Sequence, residues 1–309
     1  MIFYPKFSIL IPVHNEERHI AECITSVLQQ DYHNFELIIV DNGSTDLTYS
    51  IASLYASQDS RVKLLRTDYP GKNNAFNIGY NLSNGHVICL LGGDDLLPFD
   101  SLSKRFNFIV KSYESRVDKT LEFADFLLSK PTAYFFKLFI FSSNPKVKSK
   151  IVPSFPRVAA RCGGVLTLSR YAADFIFPLP LNLPNEDTYA ILASSYLTTI
   201  YESKDIVMCY RFHSGNSINR KSFLDVRNSL ALRSKAYDHF LAKHMAELSA
   251  KQIKEISTHI SLNRYIYSGK IIAIIVLAFR VPPSVLFRSL IYSNRRLYYS
   301  ALRLGLLSR

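Results

Sequence analysis

No stretch of the chain reaches the roughly 18 uninterrupted apolar residues that a membrane-spanning helix needs. Residues 271–279 (IIAIIVLAF) offer nine. Cysteine is scarce and dispersed. Cys23, Cys89, Cys162 and Cys209 form no CxxC or other metal-ligand spacing, and Cys23 and Cys89 fall within apolar patterns. Reduced core thiols in a cytosolic protein are the reading this supports. No GxGxxG follows the first strand and no Walker lysine loop is present, which disfavours dinucleotide dehydrogenases and P-loop NTPases. Internal repeats and low-complexity tracts are missing. No signal peptide is expected, since residues 7–13 already have the look of a first strand. The last absence is of charge: no acidic residue occurs from Ile256 onward.

What is present is a globular chain. Its 309 residues, 48% hydrophobic and 20% charged, suffice for one large domain or a domain with an appendage. A net charge of +12 and a pI near 9.4 favour an anionic partner: nucleic acid, an acidic membrane surface or a phosphorylated substrate. Nucleic acid is the weakest of the three, because the basic residues gather in an apolar tail and not in an aromatic-basic groove.

Through the first hundred residues, apolar runs alternate with helical spacing. Residues 7–13 (FSILIPV) read as a strand, after which Asn15 is expected to cap a helix with Glu16 and Glu17 in its first turn. Ile20, Ile24, Val27 and Leu28 give that helix one buried face. Residues 36–40 (ELIIV) form the next strand, and Ser44 or Thr45 starts a second helix bearing Leu47, Ile51, Leu54 and Tyr55. Residues 61–66 make a third strand. A helix from about Asn73 follows, stopped by Gly85, and then a strand over residues 87–91. Such alternation predicts a doubly wound, mostly parallel α/β sheet with its ligand beyond the carboxyl ends of the strands.

Those ends carry His14-Asn15, Asp41-Asn42-Gly43-Ser44, Thr67-Asp68 and, after Gly92-Gly93, the adjacent acids Asp94 and Asp95. Taken alone, Gly-Gly-Asp-Asp is a solvated turn. Crowded carboxylates at a sheet edge repel one another unless a cation compensates, and Mg²⁺ on one or two carboxylates plus phosphate oxygens is a common solution. Recurrence of polar ends after successive strands favours a nucleotide site.

FSILIPVHNEE, ELIIVDNGSTD, GKNNAFNIGY and GHVICLLGGDD, followed by NEDTY and YRFHSGNS, resemble family 2 glycosyltransferases of the GT-A fold over roughly residues 5–220. The resemblance implies a nucleotide-sugar half in residues 1–100 and an acceptor half in residues 101–220, with residues 221–309 as a helical extension. It implies a donor site from Pro12, His14, Asn15, Asp41, Lys72, Asn77, Asp94, Glu186 and Arg211, with Asp41 on the uracil or ribose of a UDP-type sugar. Asp94 would be the metal-binding acid of the D-x-D motif, with Asp95 and His213 completing a site for Mn²⁺ or Mg²⁺. Asp187 would be the catalytic base. Two positions depart from the family pattern. Gly92 stands where the motif has its first acid, and Phe76 where an arginine commonly precedes Asn77, which leaves the diphosphate to Lys72.

The residues themselves keep alternatives open. Glu186-Asp187 lie where a proline-broken loop meets an apolar helix over residues 189–197, and acids there also serve as caps. His213 follows a strand over residues 206–211 and reads as a metal or phosphate ligand or as a structural loop histidine. Arg211 reads as an ion-pair residue or a phosphate clamp. The aromatic-rich runs at 121–128 and 133–141 suit core or acceptor-site walls. In the tail, residues 284–307 mix apolar side chains with arginines at helical spacing. That suits either an in-plane helix on an anionic leaflet or a helix packed on the catalytic domain.

The expectation is an inverting, metal-dependent transfer of sugar from a nucleotide-diphosphate donor to a hydroxyl of a saccharide. The acceptor expected is polyprenyl-diphosphate-linked, within O-antigen or capsule synthesis, on the inner face of the cell membrane. Transfer to a polyprenyl phosphate, or nucleotide-sugar binding without turnover, are the alternatives.

Overall fold

β1 (Phe7–Val13) and β2 (Phe35–Asp41) are buried along their whole length, as apolar runs must be in a sheet covered on both faces. The computed structural model describes residues 3–116, 121–154, 158–183, 186–213, 222–277 and 281–303. Asn185 of NEDTY, residues 214–217 of YRFHSGNS and residues 304–307 of the tail lie outside these. The chain divides into two compact units, Met1–His213 and Ser214–Arg309.

In the first unit, β3 (Val62–Arg66) pairs in parallel with β2, and β4 (Val87–Leu90) with β1. Beyond β4 the sheet continues through β7 (Leu166–Ser169), β5 (Thr132–Phe141) and β6 (Lys150–Val152). These joints are antiparallel, and β8 (Thr199–Arg211) runs parallel along β5. Three helices wind between the first strands: α1 (Ile20–Leu28), α2 (Thr48–Gln58) and α3 (Lys72–Leu82). Phe7, Ile9, Ile11 and Val13 of β1 cluster with Ile20, Ile24 and Val27 of α1 on one face. On the other, Leu10, Ile38 and Val40 close on Gly79 of α3. This is the doubly wound GT-A sheet.

Two helix starts differ from the sequence expectation, for one reason. Asn15 caps nothing: it sits at φ 55°, its N–H donates to Ser44 Oγ, and its Oδ1 accepts from the Thr45 N–H. The polar residues after β1 and β2 bond to each other across the loops, which delays α1 to Ile20 and α2 to Thr48. α3 ends at Leu82, ahead of Gly85.

α4 (Ser101–Glu114) and α5 (Phe123–Ser129) lead into β5, where Tyr134, Phe135 and Phe136 are fully buried. The second aromatic run is therefore sheet core. α6 (Arg170–Ile176) and α7 (Asp187–Leu197) complete the unit.

The second unit comprises α8 (Phe223–His244), α9 (Ala250–Ser268), α10 (Ile271–Val276), α11 (Pro283–Ser293) and α12 (Arg295–Arg303). Its core joins Phe223, Leu230, Leu262, Ile266, Ile291 and Tyr298. The segment expected as one in-plane helix is two, parted at Asn294, with Ile291, Tyr298 and Ala301 turned into that core. Among the described residues no helix is long and apolar enough to cross a membrane.

Candidate active site

Asp41, the last residue of β2, is fully buried. Its Oδ2 accepts from the Ser44 N–H at 3.3 Å and lies 3.6 Å from Arg66 Nε, whereas Oδ1 has no partner. His14 Nδ1 stands 2.9 Å from the Asn42 carbonyl, and Asn42 Oδ1 accepts from the Gly71 N–H, so the loops after β1 and β2 are stitched to the start of α3. Pro12 is buried in the ladder opposite Val40. A buried carboxylate oxygen without a donor is costly, and the site fits an incoming hydroxyl or ring N–H. Glu36, in the same strand, shows the contrast. Ser8 and the Asn84 N–H donate to its Oε1 and Lys63 and Lys6 to its Oε2. Burial would raise its pKa, yet those four donors bring it down to about 2. A structural acid is saturated; Asp41 is half-used.

The end of β4 is crowded. Asp95 is 5% exposed and its Oδ1 accepts from the Arg211 N–H at 3.0 Å. Burial first, then the Asp94 charge, push its carboxyl well above the usual range. Asp94 Oδ2 stands 3.1 Å from His213 Nε2, and Arg211 Nε donates to the Asp94 carbonyl. The guanidinium of Arg211 also pairs with Glu22 and lies over Phe141, which is the ion-pair role of the two the sequence left open. A Cβ on Gly92 would stand 2.7 Å from Asp94 Oδ1 and 3.0 Å from Asp95 Oδ2. Both carboxylates occupy the room that a side chain at this position would claim, so a first acid and this arrangement exclude one another.

A second pair of acids faces this one. Glu186 and Asp187 open α7, yet Glu186 makes no side-chain capping bond. Asp187 Oδ1 instead accepts from the Gly163 N–H in the turn before β7, so the capping alternative is not what the geometry shows. Burial, then Glu186, push Asp187 up to about 6, against the pull of Lys72. Glu186 is 5% exposed and its Oε2 lacks a partner. Lys72, the first residue of α3, brings Nζ to 3.1 Å from Glu186 Oε1. Its side chain is still 41% exposed, so the crowding that disfavours its ammonium is incomplete, and Glu186, Asp187 and, more weakly, Asp94 hold its pKa above the ordinary lysine value. One cation thus answers both acid pairs.

Asn77 stands apart from this set. Its amide is spent on both sides of Leu179, donating to the carbonyl at 2.9 Å and accepting from the N–H at 2.7 Å, which clamps the segment leading to Glu186. The expected metal trio is not assembled either. Among the described residues no three His, Cys, Asp or Glu side chains are grouped to hold an ion, and Asp95 Oδ1 accepts from the Arg211 amide. Asp94 with His213 still suits a hard divalent ion, whose remaining ligands are typically phosphate oxygens and water.

Two residues escaped sequence reasoning. Glu16 lies in the turn before α1, near Gly93, and burial followed by Asp94 and Asp46 raises its pKa to about 7. The acid directly after His14-Asn15 was the available signal. Arg105 of α4 is 1% exposed and has no carboxylate partner among the described residues. It donates to Gly164 O at 3.0 Å, Ser101 Oγ and Thr167 Oγ1. It thereby fixes the glycine turn whose Gly163 N–H meets Asp187.

Residues 8–160 match the model of "Glycosyl transferase family 2". These residues belong to that family. An uncharacterized glycosyltransferase of Haemophilus influenzae is 39% identical over 110 residues, covering 35% of this chain and 44% of the relative. The matched part therefore spans less than half the length of that curated relative. Among solved structures, S. aureus TarS 1-349 in complex with UDP-GlcNAc superposes with TM-score 0.59 at 18% identity, covering 98% of this chain and 93% of that one. The mannosyltransferase PcManGT from Pyrobaculum calidifontis, in complex with GDP-Man and Mn²⁺, gives 0.57 at 16% identity over 99% and 82%. At such identities the two structures establish the fold of this chain and nothing finer.

Proposed function

We propose that this protein transfers a sugar, with inversion, from a nucleotide-diphosphate donor to a hydroxyl of a saccharide acceptor. The observation that carries the reading is the convergence of Asp94-Asp95 and Glu186-Asp187 on Lys72. One acid pair lies at the strand ends where a diphosphate would sit; the other opens α7, where Asp187 has one oxygen bound and a raised pKa. Asp187, ionised at neutral pH yet more basic than an ordinary carboxylate, takes the proton from the acceptor hydroxyl. That oxygen forms a bond to the anomeric carbon as the bond to the diphosphate oxygen breaks on the opposite face. Lys72 and Arg211 oppose the charge gathering on the leaving group. Asp41 Oδ1 accepts from the nucleoside, for which a UDP-type donor is the expected class.

Asp94 and His213 are the residues that would hold a divalent ion, Mn²⁺ or Mg²⁺, whose chemistry is to neutralise the diphosphate. A base tuned to about 6 favours a hydroxyl acceptor over a polyprenyl phosphate, which is already an anion. The catalytic domain spans residues 1–220 and the basic helical tail residues 221–309. The tail's lack of acids suits an anionic membrane surface and hence a polyprenyl-diphosphate-linked acceptor in cell-surface polysaccharide synthesis, at the cytoplasmic face.

The test is a screen of UDP and GDP sugars for metal-dependent thermal stabilisation and hydrolysis, run on the parent chain and on Asp94→Ala. Metal-dependent stabilisation by one donor and its loss in Asp94→Ala are expected. Full activity of that variant, or equal activity in excess chelator, overturns the metal assignment.

A further inference from the structure

The tail contains two apolar stripes, and the structure separates their fates. α11 and α12 turn Ile291, Tyr298 and Ala301 into the core of their own unit, with Leu286 and Leu290 packed against it. The stripe that the sequence offers to a membrane is thus divided: these side chains are taken up by folding, while Phe287 and Leu297 remain 53% and 48% exposed. α10 does the reverse. Ile274 and Leu277 point into the core at 0% and 7% exposure, while Ile272, Ile275 and Val276 stand 80%, 52% and 70% exposed. Positions i, i+3 and i+4 share one face of a helix, so these three form a single protruding knuckle. Nothing in the core of the unit requires them to be apolar.

The surroundings of the knuckle are cationic. A Cβ at Gly269 would stand 3.7 Å from the Ser293 carbonyl, so the start of α10 meets the end of α11. Lys270 follows directly on one side of this junction, and Arg295 and Arg296 within three residues on the other. All three are exposed, and none takes part in an ion pair among the described residues; Arg264, by contrast, is bound to Asp238. Residues 214–309 hold 16 basic and 4 acidic side chains. A second copy seated on the knuckle would press two such cationic units together. An anionic lipid leaflet supplies both what the apolar face and what the lysine and arginines lack.

We propose that α10 is the membrane-inserting element of this protein: Ile272, Ile275 and Val276 enter the acyl boundary while Lys270, Arg295 and Arg296 bind anionic headgroups. The assignment rests on the membrane-surface reading above and moves its apolar contact from residues 284–307 to residues 271–276.

The chain contains no tryptophan, so Ile272→Trp installs a single indole at the proposed depth. Full-length protein is mixed with phosphatidylcholine vesicles with and without phosphatidylglycerol. With phosphatidylglycerol, the emission of the indole at position 272 should shift to the blue and become shielded from an aqueous quencher. The same indole at the exposed Leu54 of α2 should report no change. Changing Ile272, Ile275 and Val276 together to Gln should weaken co-sedimentation by about tenfold or more, since apolar burial is one of the two terms holding such an element. Binding with an unshifted indole at 272, or full binding by the triple variant, overturns the assignment to α10 while leaving the membrane reading in place. No binding to anionic vesicles at low salt overturns both. Self-association in the absence of lipid that the triple variant abolishes gives the knuckle to a second copy and overturns the proposal.

Discussion

The two units of this chain use charge in opposite ways. Residues 1–213 hold 21 basic and 21 acidic side chains, whereas residues 214–309 hold 16 and 4, so the entire net charge of +12 resides in the second. In the first unit several acids are buried and individually placed: Glu36 saturated, Asp41 and Glu186 each with one oxygen unanswered, Asp187 pushed up to about 6. In the second the excess is cationic and exposed. Helix starts vary within both units, since α6 of the first is capped by Ser169 and α10 and α11 of the second have no side-chain cap, but the starts that flank the acids stand out. α8 and α9 begin with complete capping boxes, Ser222 with Asp225 and Ser249 with Gln252. α3 and α7, which open onto the acids of the first unit, have no side-chain cap at all. Buried polar atoms without a hydrogen-bond partner occur in both units, Arg227 Nε and Ser234 Oγ among them in the second, but the carboxylate oxygens so left, Asp41 Oδ1 and Glu186 Oε2, lie in the first. Reserve polarity at buried positions marks where a ligand belongs; unbalanced surface charge marks where a partner belongs.

The largest effect that tests this contrast is at Asp187. Asp187→Asn keeps the oxygen that accepts from Gly163 and removes the basic one, so turnover should fall by on the order of 10² or more while donor affinity is retained. In the parent, kcat/KM should decline as pH falls below about 6, because the base is then protonated. The stability linkage runs the other way. A carboxyl whose folded pKa lies above its ordinary 3.8 costs stability once ionised. The penalty is absent below 3.8 and complete above about 6. The Asn variant should therefore be at least as stable as the parent at neutral pH in urea titrations. Wild-type turnover in Asp187→Asn would remove the base from this residue and with it the contrast between the units.

Much of the first unit could be read from the sequence because it depends on periodicity. Buried parallel strands are unbroken apolar runs, and β1 begins and ends where expected, at Phe7 and Val13. The strand-end acids could be located for the same reason. What escaped depended on contacts far apart in the chain. Asn15 looked like a cap until Ser44, 29 positions away, claimed its N–H. Asn77 looked like a ligand residue, but its amide holds Leu179 across 102 positions. Arg105 gave no signal, since a buried arginine bonded to carbonyl and hydroxyl oxygens has no local pattern.

A smaller effect is expected at that arginine. Arg105 reaches no part of the proposed substrate site; it holds Gly164, and Gly163 orients Asp187. Arg105→Lys keeps the charge but cannot reproduce the three-way fork of the guanidinium. Turnover should drop by roughly 10- to 100-fold through misplacement of the base, with the KM for donor little changed. If Arg105 is only structural, the variant will lose stability while its folded fraction turns over at the parent rate. The KM-against-kcat split and a urea titration together decide.

The smallest effect separates the two kinds of helix start. Ser249 is exposed, its Oγ accepts from the Gln252 N–H at 3.3 Å, and its own N–H donates to Gln252 Oε1 at 2.9 Å. Removing the hydroxyl opens no cavity, so Ser249→Ala isolates the cap and should cost about 1 kcal/mol. Ser249→Asp, another strong cap, should restore most of it. Turnover on a soluble acceptor should be unchanged in both, because no atom of this cap belongs to the proposed site. Glu186→Gln is the matching change in the first unit, and there the pattern should invert. No capping bond exists to lose, so stability should shift little through the helix start, while Lys72 loses its ion-pair partner and donor binding responds. Equal stability losses from Ser249→Ala and Glu186→Gln, with no change in donor binding, would show that α7 is held as α9 is and that Glu186 is no reserve at all.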